Sequence, residues 1–183
     1  MKSSIIIKKI LENGSRSLKK NKGLDDFSSV EPLENISFEE LVPISFNNVC
    51  SLFISRKQLN ELGISNVHEL MGKNVTYGIL VPDNGKWLFG HTSDVGERTH
   101  TYTKDIRSKN GPLFDDLRRF KRGLFVVFKI SDNKEDSKYW EKLLITEFKE
   151  MKFKELTGFE TNDYSMLEVN EVVKDYIYNI NNW

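Results

Sequence analysis

Cysteine occurs once in 183 residues, at Cys50. One thiol builds no internal disulfide framework and no cysteine-rich zinc site, and it points to a reducing, cytoplasmic setting. No apolar run approaches the roughly 20 residues that a membrane helix needs. Ile5-Ile6-Ile7 meets Lys8-Lys9 at once and is too short for a signal-peptide core, so no membrane partner is expected. The three histidines, His68, His91 and His100, have spacings that match no usual zinc pattern. Neither G-x-x-x-x-G-K-[ST] nor G-x-G-x-x-G occurs, which argues against a nucleotide-driven motor and a dinucleotide enzyme. Excess charge of one sign is absent too, with 27 Lys and Arg against 27 Asp and Glu. No global field draws this chain onto nucleic acid, so local patches must do that work.

What is present is an ordinary globular composition, 38% hydrophobic and 30% charged, too apolar for wholesale disorder. The length supports one good core with an extension. Met1–Leu24 is a basic arm, its seven Lys and Arg facing only Glu12, and such an arm suits a run of phosphates. Asp25–Glu40 reverses the sign, lacks periodicity until Phe38 and reads as a linker. Asn48–Ile54 is short and apolar, the mark of a buried strand. Ser55 is placed to N-cap a helix over Arg56–Leu62 that Gly63 ends. A second short helix, Asn66–Met71, closes at Gly72. Helix, glycine turn, helix invites a DNA-reading unit carrying Arg56 and Lys57, although short helices of this kind more often serve packing.

Val75–Val81 and Lys86–Gly90 flank Pro82-Asp83-Asn84-Gly85, and an Asn-Gly pair between β-rich runs is a strong hairpin signal. A helix begins near Ser93 or Asp94 and carries Arg98. Leu113–Phe120 has helical apolar spacing, with its arginines expected to face outward. Lys104, Arg107, Arg118, Arg119 and Arg122 give this region a basic surface suited to nucleic acid. Gly123–Ile130 is an uninterrupted apolar strand, expected at the centre of the sheet. Ser131–Ser137 reads as a polar loop. Lys138–Met151 reads as an amphipathic helix with Tyr139, Leu143, Leu144, Phe148 and Met151 turned inward. Val169–Ile180 reads as a final helix.

Val75–Arg98 (VTYGILVPDNGKWLFGHTSDVGER) resembles the amino-terminal half of a GIY-YIG nuclease domain. The first motif falls on Val75-Thr76-Tyr77 and the second on Leu88-Phe89-Gly90, with the ten-residue interval typical of that family. Arg98, eight residues after Gly90, stands where the family's catalytic arginine is expected. A strand and helix follow, with Glu141 four residues before Ile145 in the family's manner. The resemblance covers roughly residues 73–162. It departs from the family at Leu88, where a tyrosine is usual, and at Val75, where a glycine is usual.

The resemblance implies an α/β fold: a small mixed three-stranded sheet flanked by helices. Residues 1–72 would then form an amino-terminal extension and 163–183 a helical tail. It implies a metal-dependent DNA endonuclease, with Mg²⁺ or Mn²⁺ held by Glu141 and double-stranded DNA as the partner. A homodimer is a further expectation, since one active site suits one cut. Arg98 would grip the scissile phosphate through its planar fork. Tyr77 would orient or deprotonate the attacking water, which requires a lowered phenol pKa. Tyr102, one helical turn from Arg98, and His100 are candidates to replace the phenol missing at Leu88. His91 and Asn162 are further candidates. Two other readings stand beside this one: a weakened relative that binds nucleic acid or a protein without cutting, and an interaction domain whose motif matches are coincidental. In the last, Tyr77, Arg98 and Glu141 would be scattered.

Overall fold

The strand that sequence periodicity puts at the centre of the sheet is there. In the computed structural model, which describes residues 41–47 and 49–181, five strands follow the order β1-β2-β5-β3-β4. They are β1 (Leu41–Phe46), β2 (Ser51–Ser55), β3 (Asn74–Val81), β4 (Lys86–Thr92) and β5 (Arg122–Ser131). β5 runs parallel to β2 and antiparallel to β3, and the other pairs are antiparallel. The sheet is mixed, as expected, but has five strands rather than three. Residues 41–55, assigned above to an extension, add two strands to the same sheet. The basic arm Met1–Leu24 and the acidic stretch Asp25–Glu40 lie outside the described residues.

The helices are α1 (Arg56–Glu61), α2 (Val95–Asp105), α3 (Pro112–Phe120), α4 (Lys134–Thr157) and α5 (Met166–Val173). Alternation along the strands sorts the core between two faces. Val75, Tyr77, Ile79, Val81, Phe125 and Val127 pack with Leu59 of α1, Val95 of α2 and Leu117 of α3. Leu80, Trp87, Phe89, Leu124 and Val126 pack with Leu144, Ile145 and Phe148 of α4 and with Val169 of α5. The result is a sheet sandwiched between helix layers. Among the described residues no helix is long and apolar enough to cross a membrane.

Local signals set the boundaries. Ser55 caps α1 by accepting from the Gln58 backbone N–H, Asp94 caps α2 through Glu97, and Asn133 caps α4 through Asp136. The hairpin turn uses positive φ at Gly85 and at no other residue of the loop; Asn84 instead accepts from the Lys86 N–H at 3.0 Å. The β3–β5 register slips between Thr76 and Tyr77. At that bulge the buried Gln58 amide takes up both backbone groups of Val127, at 2.9 and 3.0 Å.

α4 is longer than its apolar spacing predicts, and its inner face is rotated. Its buried set includes Ser137, Glu141, Leu144, Ile145, Phe148 and Lys152, whereas Tyr139 is 62% exposed. Two polar ties fix this phase. The Thr76 hydroxyl donates to the Ser137 carbonyl at 2.8 Å, and His91 is bonded to Glu141. Counting apolar residues alone cannot register either tie.

The outer edge of β4 is only partly open. Ile177 bridges to Trp87, the Tyr178 N–H donates to the Trp87 carbonyl at 2.8 Å, and the Asn179 amide pairs with both backbone groups of Phe89. This carboxyl-terminal segment covers the strand edge as far as Phe89. The end carrying Gly90, His91 and Thr92 is where a cleft opens.

Candidate active site

Gly90 lies opposite Tyr77 in the β3–β4 register. A Cβ at Gly90 would sit 2.7 Å from both Cζ and the hydroxyl of Tyr77. The glycine is therefore required by close approach of the ring. That ring is stacked on Phe125 at 4.8 Å, and its hydroxyl lies 2.8 Å from that of Tyr102 on α2. Arg98 stands one turn before Tyr102 and is exposed, and its guanidinium makes no hydrogen bond or ion pair to a described residue.

The opposite helix layer supplies the acid. His91, next to Gly90 but on the α4 side of the sheet, donates from Nδ1 to Oε2 of Glu141. Glu141 is largely buried, and its Oε1 accepts no hydrogen bond from a described residue. The cleft, about 310 Å³, is lined by His91, Thr92, Ser93, Glu97, Arg98, Thr101 and Lys134. It wraps the end of β4, so both helix layers contribute.

Both phenols stay protonated at neutral pH. Burial pushes the Tyr77 phenol well above its ordinary value; Tyr102 and Glu141 push it further, and Arg98 pulls it down. Burial likewise raises Tyr102, which Glu141 also raises, against the lowering by Tyr77 and Arg98. Arg98 and Glu141, from opposite layers, thus act on the same phenol pair. Tyr77 is only 1% exposed, so the expected role of water deprotonation does not suit it. Its place is as the hydrogen-bond partner of Tyr102.

Four of the five catalytic candidates, Tyr77, Arg98, Tyr102 and Glu141, converge on this end of the sheet. His100 does not: two residues from Arg98, it is turned about 200° around the helix, exposed and outside the cleft lining. The basic candidates also lie elsewhere. Arg118, partly exposed, donates to the carbonyls of Ile106 and Lys109 at 2.7 and 2.8 Å and pairs with Asp115, so its guanidinium is already engaged. Arg122 holds Asp83 through two hydrogen bonds of 2.9 and 2.7 Å. Arg119 lies over the Phe120 ring at 5.0 Å, and Lys104 and Arg107 are exposed at the far end of α2. Asn162 follows the distal end of α4, and that end lies about 24 Å of helix from Glu141. In the helix-turn-helix candidate, Arg56 donates to the Ser65 carbonyl at 3.2 Å and Leu59 packs on the sheet, a packing role.

From sequence, His91 is only a further candidate and Lys134 falls in a loop. The signal for Lys134 was legible: Asn133 three residues before Asp136 is an N-cap pattern.

No group of three or more His, Cys, Asp or Glu side chains gathers among the described residues. A cation at this site would rest on one carboxylate. Oε1 of Glu141 fits a hard, oxygen-seeking ion that keeps most of its waters. No family model matches the chain, and no curated protein or solved structure matches it.

Proposed function

We propose that this protein is a metal-dependent DNA endonuclease of GIY-YIG type, hydrolysing phosphodiester bonds at the end of β4. The observation that carries the reading is that Arg98 and Glu141, from opposite helix layers, both act on the Tyr77 phenol that packs against Gly90. These are the residues that the family resemblance picks out by spacing. Within the sheet, β3 lies between β4 and β5, the three strands to which the resemblance assigns the core.

On this reading Arg98 binds the non-bridging oxygens of the scissile phosphate, with no carboxylate of a described residue paired to its fork. Lys134 and Thr101 line the same cleft and hold the flanking backbone. His91, itself in the cleft lining, keeps Oε2 of Glu141 engaged and leaves Oε1 for the ion. Mg²⁺ or Mn²⁺ bound there would polarise the phosphate and acidify a coordinated water. Tyr102 presents a second phenol beside Tyr77 and replaces the hydroxyl absent at Leu88. Leu88 itself packs against the α1–α3 side of the core.

A second reading, a GIY-YIG-like module that binds without cutting, draws on the depth of Tyr77 and the protonated state of both phenols. Supercoiled plasmid separates the two. The nuclease reading expects nicking that requires Mg²⁺ or Mn²⁺ and disappears in Glu141→Ala. Metal-independent binding with no cutting by wild type would favour the second.

A further inference from the structure

Far from the cleft, the end of α4 and the chain after it leave apolar side chains in solvent. Phe159 is 60% exposed, Met166 48% and Leu167 81%. Single exposed apolar residues are ordinary, but a contiguous set marks a contact surface. This set is contiguous. The Phe159 ring lies 6.4 Å from that of Tyr164, which is itself 4.9 Å from the buried Phe153 ring. Tyr164, Met166 and Val169 then line a notch of about 110 Å³ between α4 and α5. Its volume is below the roughly 150 Å³ that admits a benzene ring, so it suits one aliphatic side chain. Lys149 also lines the notch, but its ammonium donates to the Ile180 carbonyl at 2.6 Å.

The charge of this surface is one-sided. Residues 158–173 hold Glu160, Asp163, Glu168 and Glu171 and no Lys or Arg. Glu160 and Glu171 are paired with Lys154 and Lys174. Asp163, Glu168 and the notch-lining Glu150 have no cationic partner among the described residues. A second copy of the same face would set carboxylates against carboxylates. The fitting occupant is aliphatic and basic.

Such a segment is present in this chain. Residues 1–24 carry seven Lys and Arg against Glu12 alone, with Ile5-Ile6-Ile7 and Ile10-Leu11 on either side of Lys8-Lys9. The tether is long enough. Leu41, where β1 begins, belongs to the same core cluster as Phe153 and Val169. Residues 25–40, fully extended, span up to about 50 Å, more than the width of a domain this size.

We infer that the notch between α4 and α5 is the docking site of the chain's own amino-terminal arm, with an isoleucine of residues 5–7 in the notch and Lys8 and Lys9 against Glu150 and Asp163. The arm's lysines are then engaged within the protein rather than along phosphates. Neither the surface nor its occupant depends on the nuclease reading.

The test is paramagnetic broadening of amide signals in the full chain. A nitroxide is attached at Ser4→Cys, beside the isoleucines; Cys50 is buried and takes no label. The amides of Thr161, Tyr164 and Val169 are expected to lose most of their intensity. Leu167→Glu and Glu150→Lys, both at exposed positions, each restore it, and so does Ile6→Asn with Ile7→Asn on the arm. Unchanged amide shifts elsewhere show that each variant keeps its fold. Full intensity at the notch in the labelled protein would overturn the inference. So would broadening that survives both Leu167→Glu and the arm variant, or broadening at Thr92 and Thr101 instead, with the arm serving the cleft. Broadening seen only between spin-labelled and isotope-labelled chains in a mixture would place the arm on a second copy and overturn it too.

Discussion

The hydroxyls of Tyr77 and Tyr102 stand 2.8 Å apart, one carried by an inner strand of the sheet and the other by the helix laid over it. Tyr77→Phe or Tyr102→Phe alone strands the partner hydroxyl in a desolvated place, at a cost of about 1–3 kcal/mol. Removing both hydroxyls leaves no orphan and is expected to recover most of that loss. Urea midpoints of the two single variants and the double variant measure it. A double variant no more stable than the worse single one would mean the pair is not coupled.

Arg122 was read from sequence as a nucleic-acid contact. Its half-buried pairing with Asp83, at side-chain exposures of 16% and 12%, predicts a structural role. Arg122→Ala should lower stability by about 3–5 kcal/mol, because Asp83 is left as a buried, uncompensated charge. DNA affinity of the folded fraction should change little. A stable Arg122→Ala protein with much weaker DNA binding would reverse this assignment.

Cys50 supplies a pH signature. Burial raises its thiol from 9.0 to about 12, so the folded state holds this proton longer than the unfolded state does. Its contribution to stability is fully present below pH about 9 and is lost as pH rises through about 12. Stability of wild type relative to Cys50→Ala should therefore fall between pH about 9 and about 12. Urea denaturation of both proteins across that range measures the difference. A constant difference would show that the thiol titrates alike in both states.

What could be read from the sequence was what local chemistry writes into it. Ser55, Asp94 and Gly63 mark helix ends because capping is settled within a few residues. The β3–β4 hairpin was legible from its turn, and the placing of Tyr102 one helical turn from Arg98 from helix periodicity. What could not be read depends on contacts distant along the chain. The phase of α4 is set by Thr76 and His91, which lie 61 and 50 residues from their partners. β1 joins the sheet through pairing with β2, which its own short stretch does not announce. Arg118 and Arg122 looked like surface charge because nothing local reveals the Ile106 carbonyl or Asp83 as their partners.

The most direct test of the account is the metal-dependent rate of plasmid nicking by wild type, Arg98→Ala, Glu141→Ala and the double variant. If both residues act on one phosphate, each single substitution costs at least about 100-fold, and the double variant falls little below the worse single one, since groups that act as a unit are not additive. Wild-type nicking by either single variant would contradict the claim that Arg98 and Glu141 form one active site.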